Sequence, residues 1–194
     1  MLINRKNILK DHSHTWLIIG RVLLIIMIIG WMHVIFNFSA QNGANSHAAS
    51  DQVVNYVQKI VYLMTDKDIS VKFAVGTTYR QYLEFAIRKC AHMFIYFILS
   101  INVMLFLFTF QKMNMFLRMF LSILTCFLYA CTDEFHQRFV MGRGSSFRDV
   151  LIDTSGAVFG LIAALLIFCV IYTIYHRHLD HKMERYNRKI RADE

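Results

Sequence analysis

Four apolar runs in a chain of 194 residues leave it few ways to fold. They cover residues 16–38, 85–110, 115–132 and 150–175, and each reaches the roughly 17–25 residues that a helix needs to cross a bilayer. Only helices and closed barrels satisfy their backbone hydrogen bonds in lipid, and these runs are too long for barrel strands of about 10 residues. The expected fold is therefore all-α: a polytopic membrane helical bundle with four transmembrane helices. A hydrophobic content of 56% excludes an ordinary soluble domain. The chain has no proline, so no span carries the usual cause of a sharp kink. A basic stretch precedes the first run, but its apolar part is longer than a signal-peptide core, so it reads as a retained span.

Four spans place both termini on one side of the membrane, and the distribution of Lys and Arg selects the side. Of the 21 such residues, twelve fall with the termini: Arg5, Lys6, Lys10, Arg21, Lys112, Arg118, Arg177, Lys182, Arg185, Arg188, Lys189 and Arg191. Both termini are expected in the cytoplasm. The net charge of +8 is then mainly a topology signal, and the basic tail over 176–194 an anchor facing anionic lipid. No recognition motif accompanies the charge, so no nucleic-acid partner is expected. Membrane lipids are the expected partners, and the oligomeric state is unspecified. Cys90, Cys126, Cys131 and Cys169 lack CxxC spacing and read as small buried hydrophobes, with a Cys90–Cys131 disulfide a minor option.

Outside the spans, the first outer loop is the one sizeable piece. Residues 39–50 read as a polar loop, and from Asp51 the apolar residues Val53, Val57, Ile60, Val61 and Met64 recur at helical spacing. A short amphipathic helix is expected there, with Ser50 or Asp51 as its N-cap and a break at Asp66 to Asp68. It would lie on the outer surface or over the bundle, as a packed connector or as a lid.

Ionisable residues at membrane depth cost about 2.5–3.5 kcal/mol each on insertion scales, so a cluster of them needs partners, water or a ligand. Such a cluster lies between Arg88 and Gly160. Arg88, His92 and Tyr96 form one stripe at the outer end of the second span, with Lys89 beside them. The third span ends in Asp133-Glu134-Phe135-His136-Gln137, where Asp133 shares a face with His136 and Gln137, and Glu134 reaches Arg138. A carboxylate beside an imidazole suits acid/base work, metal binding or a plain salt bridge. The HExxH zinc pattern is absent, no metal-ligand set is recognised, and no cofactor follows. A short loop with Gly142, Arg143, Gly144, Ser145 and Ser146 could gather backbone amides with Arg143 and Arg148 around a phosphate or carboxylate; it also makes an ordinary turn. In the fourth span Asp149, Asp153, Gly156 and Gly160 form one stripe, and its GxxxG pair is a helix-packing surface.

Arg88-Lys89-Cys90-Ala91-His92, then Asp133-Glu134-Phe135-His136-Gln137, then Gly142-Arg143, Asp149 and Gly156, in this order over three spans, resemble the VanZ-like family. The resemblance covers about residues 15–168, including Ser39 and Gln41, and sets the domain at 15–175. Met141 stands where the family often has proline, and Asp153 where it often has asparagine. The resemblance implies a multi-pass protein of the bacterial cytoplasmic membrane and cell envelope. Its namesake lowers susceptibility to teicoplanin, a lipoglycopeptide antibiotic acting on cell-wall precursors.

The leading expectation is an outward-facing site that binds an amphiphile, either a lipid-linked cell-wall precursor or a lipoglycopeptide. Arg88, Lys89, Arg143 and Arg148 hold the head group, while Asp133, Glu134, Asp149 and Asp153 neutralise and position them. His92 and His136 tune the site with pH, and Tyr96 and Gln137 complete the ligand set. The alternative is a membrane-embedded hydrolase or transferase using His92, Asp133, His136 and Asp149. A third reading is a structural or transport protein whose charges pair within the bundle.

Overall fold

The long apolar segments and the first loop become five helices in a computed structural model, which describes residues 5–65 and 76–193 and their side chains over 15–65 and 76–184. The helices are α1 (Arg5–Ala40), α2 (Gly43–Thr65), α3 (Thr78–Phe108), α4 (Met115–Gln137) and α5 (Phe147–Asp193). No strand occurs among the described residues. Segments Thr15–Ala40, Thr78–Phe108, Met115–Gln137 and Phe147–Glu184 are long and apolar enough to cross a bilayer, as four spans require. The expected break at Asp66 to Asp68 lies outside the described residues. So do the side chains of Arg5, Lys6, Lys10, Arg185, Arg188, Lys189 and Arg191.

Several boundaries differ from the sequence reading, each for a local reason. The polar stretch 39–50 is largely helical: α1 continues to Ala40 and α2 begins at Gly43. Asn42, rather than Ser50 or Asp51, caps α2 by accepting from the Asn45 amide at 2.8 Å. α3 starts at Thr78 because Thr77 accepts from the Arg80 amide at 3.3 Å. α4 carries its charged motif within the helix to Gln137, and α5 runs without a break through position 176.

The apolar stripe expected on α2 does not become its buried face. Val53, Ile60 and Met64 are exposed, whereas Gly43, Ser50 and Val54 are buried. The reason is an ion network: Arg80, buried on α3, pairs with Asp51, reaches Asn55 at 3.0 Å and lies 3.4 Å from Glu84. These pairs turn the polar face of α2 onto α3 and leave much of its apolar face outward.

In the bundle, α3 and α5 form the closest pair. A Cβ on Gly156 would collide with the backbone of Met93, and one on Gly160 with the Phe97 carbonyl and the Ser100 hydroxyl. The two helices therefore approach backbone to backbone, as a GxxxG surface permits. α4 closes on both, with Ser122 donating to the Ser100 carbonyl at 3.3 Å. α1 is pinned to α3 by Trp31 Nε1, which donates to the Ile95 carbonyl at 2.8 Å, and to α4 by Tyr129, which donates to the Met32 carbonyl at 2.6 Å. Tyr96, Leu99, Val103, Cys126, Ala130 and Ala157 fill the core. Leu23, Ile26, Phe116, Phe120, Ile162 and Ile171 point outward, as lipid-facing side chains do. All four cysteines are free, with Cys126 buried but Cys90 and Cys169 exposed.

Helices of alternating direction bring the end of α1, the start of α3, the end of α4 and the start of α5 to one end of the bundle. Arg88, Lys89, His92, Asp133, Glu134, Arg143, Arg148, Asp149 and Asp153 gather there. At the opposite end Arg21 donates to the Thr109 hydroxyl and carbonyl at 3.1 and 2.9 Å, and Arg118 to the Phe110 carbonyl at 2.7 Å. These guanidiniums satisfy carbonyls where α3 runs out, at the negative end of its dipole.

Candidate functional site

Arg88, Lys89 and His92 on α3 each meet a different partner. Arg88 NH1 lies 3.2 Å from His47 Nε2 on α2, and His47 Nδ1 lies 3.5 Å from Glu84. Lys89 Nζ sits 2.6 Å from Asp149 on α5, with both side chains largely buried. One turn deeper, His92 Nδ1 faces Asp153 at 3.6 Å. A further turn in, Tyr96 is fully buried and its hydroxyl has no hydrogen-bond partner. The stripe read from sequence is thus a descent from the mouth of α3 into the core.

The carboxylates of α4 divide their work. Asp133 is buried; its Oδ2 accepts from Gln137 at 3.1 Å, and its Oδ1 has no partner. Glu134 does not pair with Arg138. It accepts from the Ser146 amide at 2.9 Å, which anchors the loop leading into α5, while Arg138 donates to Ser145 Oγ at 2.9 Å. His136 turns to α1, where its ring packs on Phe36 with centroids 4.6 Å apart.

Gly142, at φ +74°, bends the α4–α5 loop against the α1–α2 corner. The Gly43 amide donates to the Met141 carbonyl at 3.1 Å, and a Cβ on Gly43 would strike the Gly142 carbonyl. Arg143 then reaches back to the Phe38 carbonyl at 3.1 Å. Burial lowers its pKa from the ordinary value, and Asp133 acts in the opposite sense. Part of the amide cradle expected of this loop is already used, because the amides of Arg143, Ser146 and Arg148 bond to Val140, Glu134 and Ser146.

Two cavities flank this end. The first, about 420 Å³, is a groove between α1, α2 and α3 walled by Trp31, Val34, Phe38, Val53, Ile87 and Phe94, with Arg88, His92 and Arg143 also lining it. The second, about 810 Å³, is lined by His47, Glu84, Arg88 and Arg148. Arg143 and Arg148 therefore serve different cavities, and Arg88 borders both. Of the residues singled out as acid/base candidates, Asp149 is held by Lys89 and His136 packs on Phe36. His92 and Asp133 come together instead with Asp153, their ligand atoms within 4.8 Å of one another.

Sequence reading passed over His47, Asn55, Arg80 and Glu84 and took Asp51 only as a candidate N-cap; together these residues tie α2 to α3. Two helical pairings were visible, Asp51 with Asn55 and Arg80 with Glu84 at i,i+4, but nothing local showed that they face each other.

Comparison with curated proteins and with solved structures finds no match. The VanZ/LLP1 family model matches residues 24–171, which include the second and third apolar spans whole, most of the fourth, the latter part of the first and every charged residue of the site just described. Over that length, the chain belongs to the VanZ/LLP1 family.

Proposed function

We propose that the charged end faces the outside of a bacterial cytoplasmic membrane, and that the groove there binds an amphiphile with an anionic head. Binding a lipid-linked cell-wall precursor or the drug itself would lower susceptibility to teicoplanin and related lipoglycopeptides. The observation that carries this reading is the groove of about 420 Å³, apolar along its walls and lined as well by Arg88, His92 and Arg143. Its volume lies within the roughly 300–1,000 Å³ of ligand sites, and its lining matches an acyl chain with a phosphate or carboxylate head. Lys89 and Asp149 neutralise each other beside it, so Arg88 and Arg143 are the cations left to meet the head group.

Arg143→Ala should weaken binding of teicoplanin or a lipid-linked precursor to the purified protein by about tenfold or more, the scale of a lost charge-assisted hydrogen bond. It should also raise the drug susceptibility of cells. Arg88→Ala, which leaves the Phe38 contact intact, should act in the same direction. Unchanged binding and susceptibility in both variants, with correct membrane insertion, would refute this assignment.

A second reading, a hydrolase or transferase acting on a lipid-linked substrate, draws support from the meeting of Asp133 and Asp153 with His92, which lines the groove. Incubating precursor with the protein and with His92→Ala, then analysing products, separates binding from turnover.

A further inference from the structure

His92 from α3, Asp133 from α4 and Asp153 from α5 bring one imidazole nitrogen and two carboxylate oxygens within 4.8 Å of one another. Ligands at about 2.1 Å from a shared ion are at most about 4.2 Å apart, so small side-chain movements would close this set on a cation. The surroundings supply a second, independent observation. Asp133 Oδ1, Asp153 Oδ2, the Tyr96 hydroxyl and the Ser39 hydroxyl are all buried without hydrogen-bond partners, and Tyr96 and Ser39 are 0% exposed. Both aspartates act electrostatically on Tyr96, and the Ser39 hydroxyl interacts with Asp133 without forming a well-shaped hydrogen bond, so these oxygens lie near one another. Buried oxygens left this way, Asp153 Oδ2 and the Tyr96 hydroxyl above all, are costly unless something binds them.

The local charge points the same way. Two buried carboxylates face one imidazole, which contributes at most a single positive charge. Lys89 is committed to Asp149, and Arg143 feels the charge of Asp133 but donates its hydrogen bond to the Phe38 carbonyl, so neither cation bonds the two carboxylates. Gln137 holds Asp133 by Oδ2 and leaves Oδ1 for a ligand, as an orienting partner does at a metal site.

We infer that His92, Asp133 and Asp153 form a binding site for a divalent transition cation of the Zn²⁺ or Mn²⁺ type, buried behind His92 where that residue lines the groove. One imidazole with two carboxylates suits these ions better than Mg²⁺ or Ca²⁺, which favour all-oxygen sets. Tyr96 and Ser39 would bond to coordinated water or complete the shell. The inference does not rest on amphiphile binding, because the cation can be measured without any lipid ligand.

The test uses the full chain in detergent, with the exposed tail imidazoles removed by His176→Ala, His178→Ala and His181→Ala, since they would bind metal adventitiously. The protein is stripped with a chelator and titrated with Zn²⁺ and separately with Mn²⁺, reading bound metal per chain and thermal unfolding. The expected result is saturable binding of one ion per chain with a rise in Tm that the chelator reverses. Asp153→Asn and Asp133→Asn, which keep side-chain shape, should each weaken binding at least tenfold. If either variant does not fold, chelator reversal of the Tm rise with the three ligands intact still decides the matter. No saturable binding of either ion, or equal binding by Asp153→Asn, overturns the proposal.

Discussion

A methyl group at position 156 would land on the backbone of Met93, which no side-chain rotation can move. Gly156→Ala should therefore push α5 away from α3 and cost about 1–3 kcal/mol, the range for overpacking a close contact. Thermal unfolding in detergent measures it, and an unchanged Tm would show that the helices have slack there. Lys89 and Asp149 make a different residue-scale case, since their 2.6 Å pair is sheltered but not sealed, with side chains 22% and 17% exposed. A double-mutant cycle with Lys89→Ala and Asp149→Ala should give a coupling of about 1–3 kcal/mol, between that of surface and buried pairs. The Asp149, Asp153, Gly156 and Gly160 stripe was legible because one helix's periodicity determines it. The partner of Glu134 was not, because it is a backbone amide twelve residues away whose position depends on the path of the loop.

At the scale of elements, α2 shows where local rules stop. Residues 43–50 include Gly, Asn and Ser, whose intrinsic helix propensity is poor, so the sequence reads as loop. They are helical because Asn42 caps them and because Gly43 docks against Gly142. Packing, rather than propensity, supplies most helix stability in proteins. Gly43→Ala should therefore separate the α1–α2 corner from the α4–α5 loop, lowering Tm and weakening amphiphile binding together. Normal Tm and binding would show that this junction is not needed. Asn114 caps α4 by accepting from the Leu117 amide at 2.8 Å, far from the groove. Asn114→Ala should cost about 1 kcal/mol and leave ligand binding intact, which makes it a control for stability alone.

For the whole molecule, the positions of the spans were legible because length and hydropathy are properties of single segments. The meeting of His92, Asp133 and Asp153 was not, because it depends on the relative heights and rotations of three helices. Those are set by contacts such as Gly156 on Met93, distant in sequence. Orientation adds a prediction at this scale: reporters fused to either terminus should read cytoplasmic, and a cysteine placed at Gly144 should react with an impermeant thiol reagent from outside. Labelling of that cysteine only after the membrane is breached would invert the topology and remove the outward-facing site.

The absence of proline has a consequence for how such a groove can change. Each span is an unbroken helix, so its amide donors in the bilayer are used within the helix and offer nothing to a guest. On the proposed reading, discrimination between guests rests on the side chains along the groove, chiefly Arg88, His92 and Arg143. Selectivity can shift by single substitutions while the helical frame stays as it is, and relatives built on one scaffold can differ in what they admit.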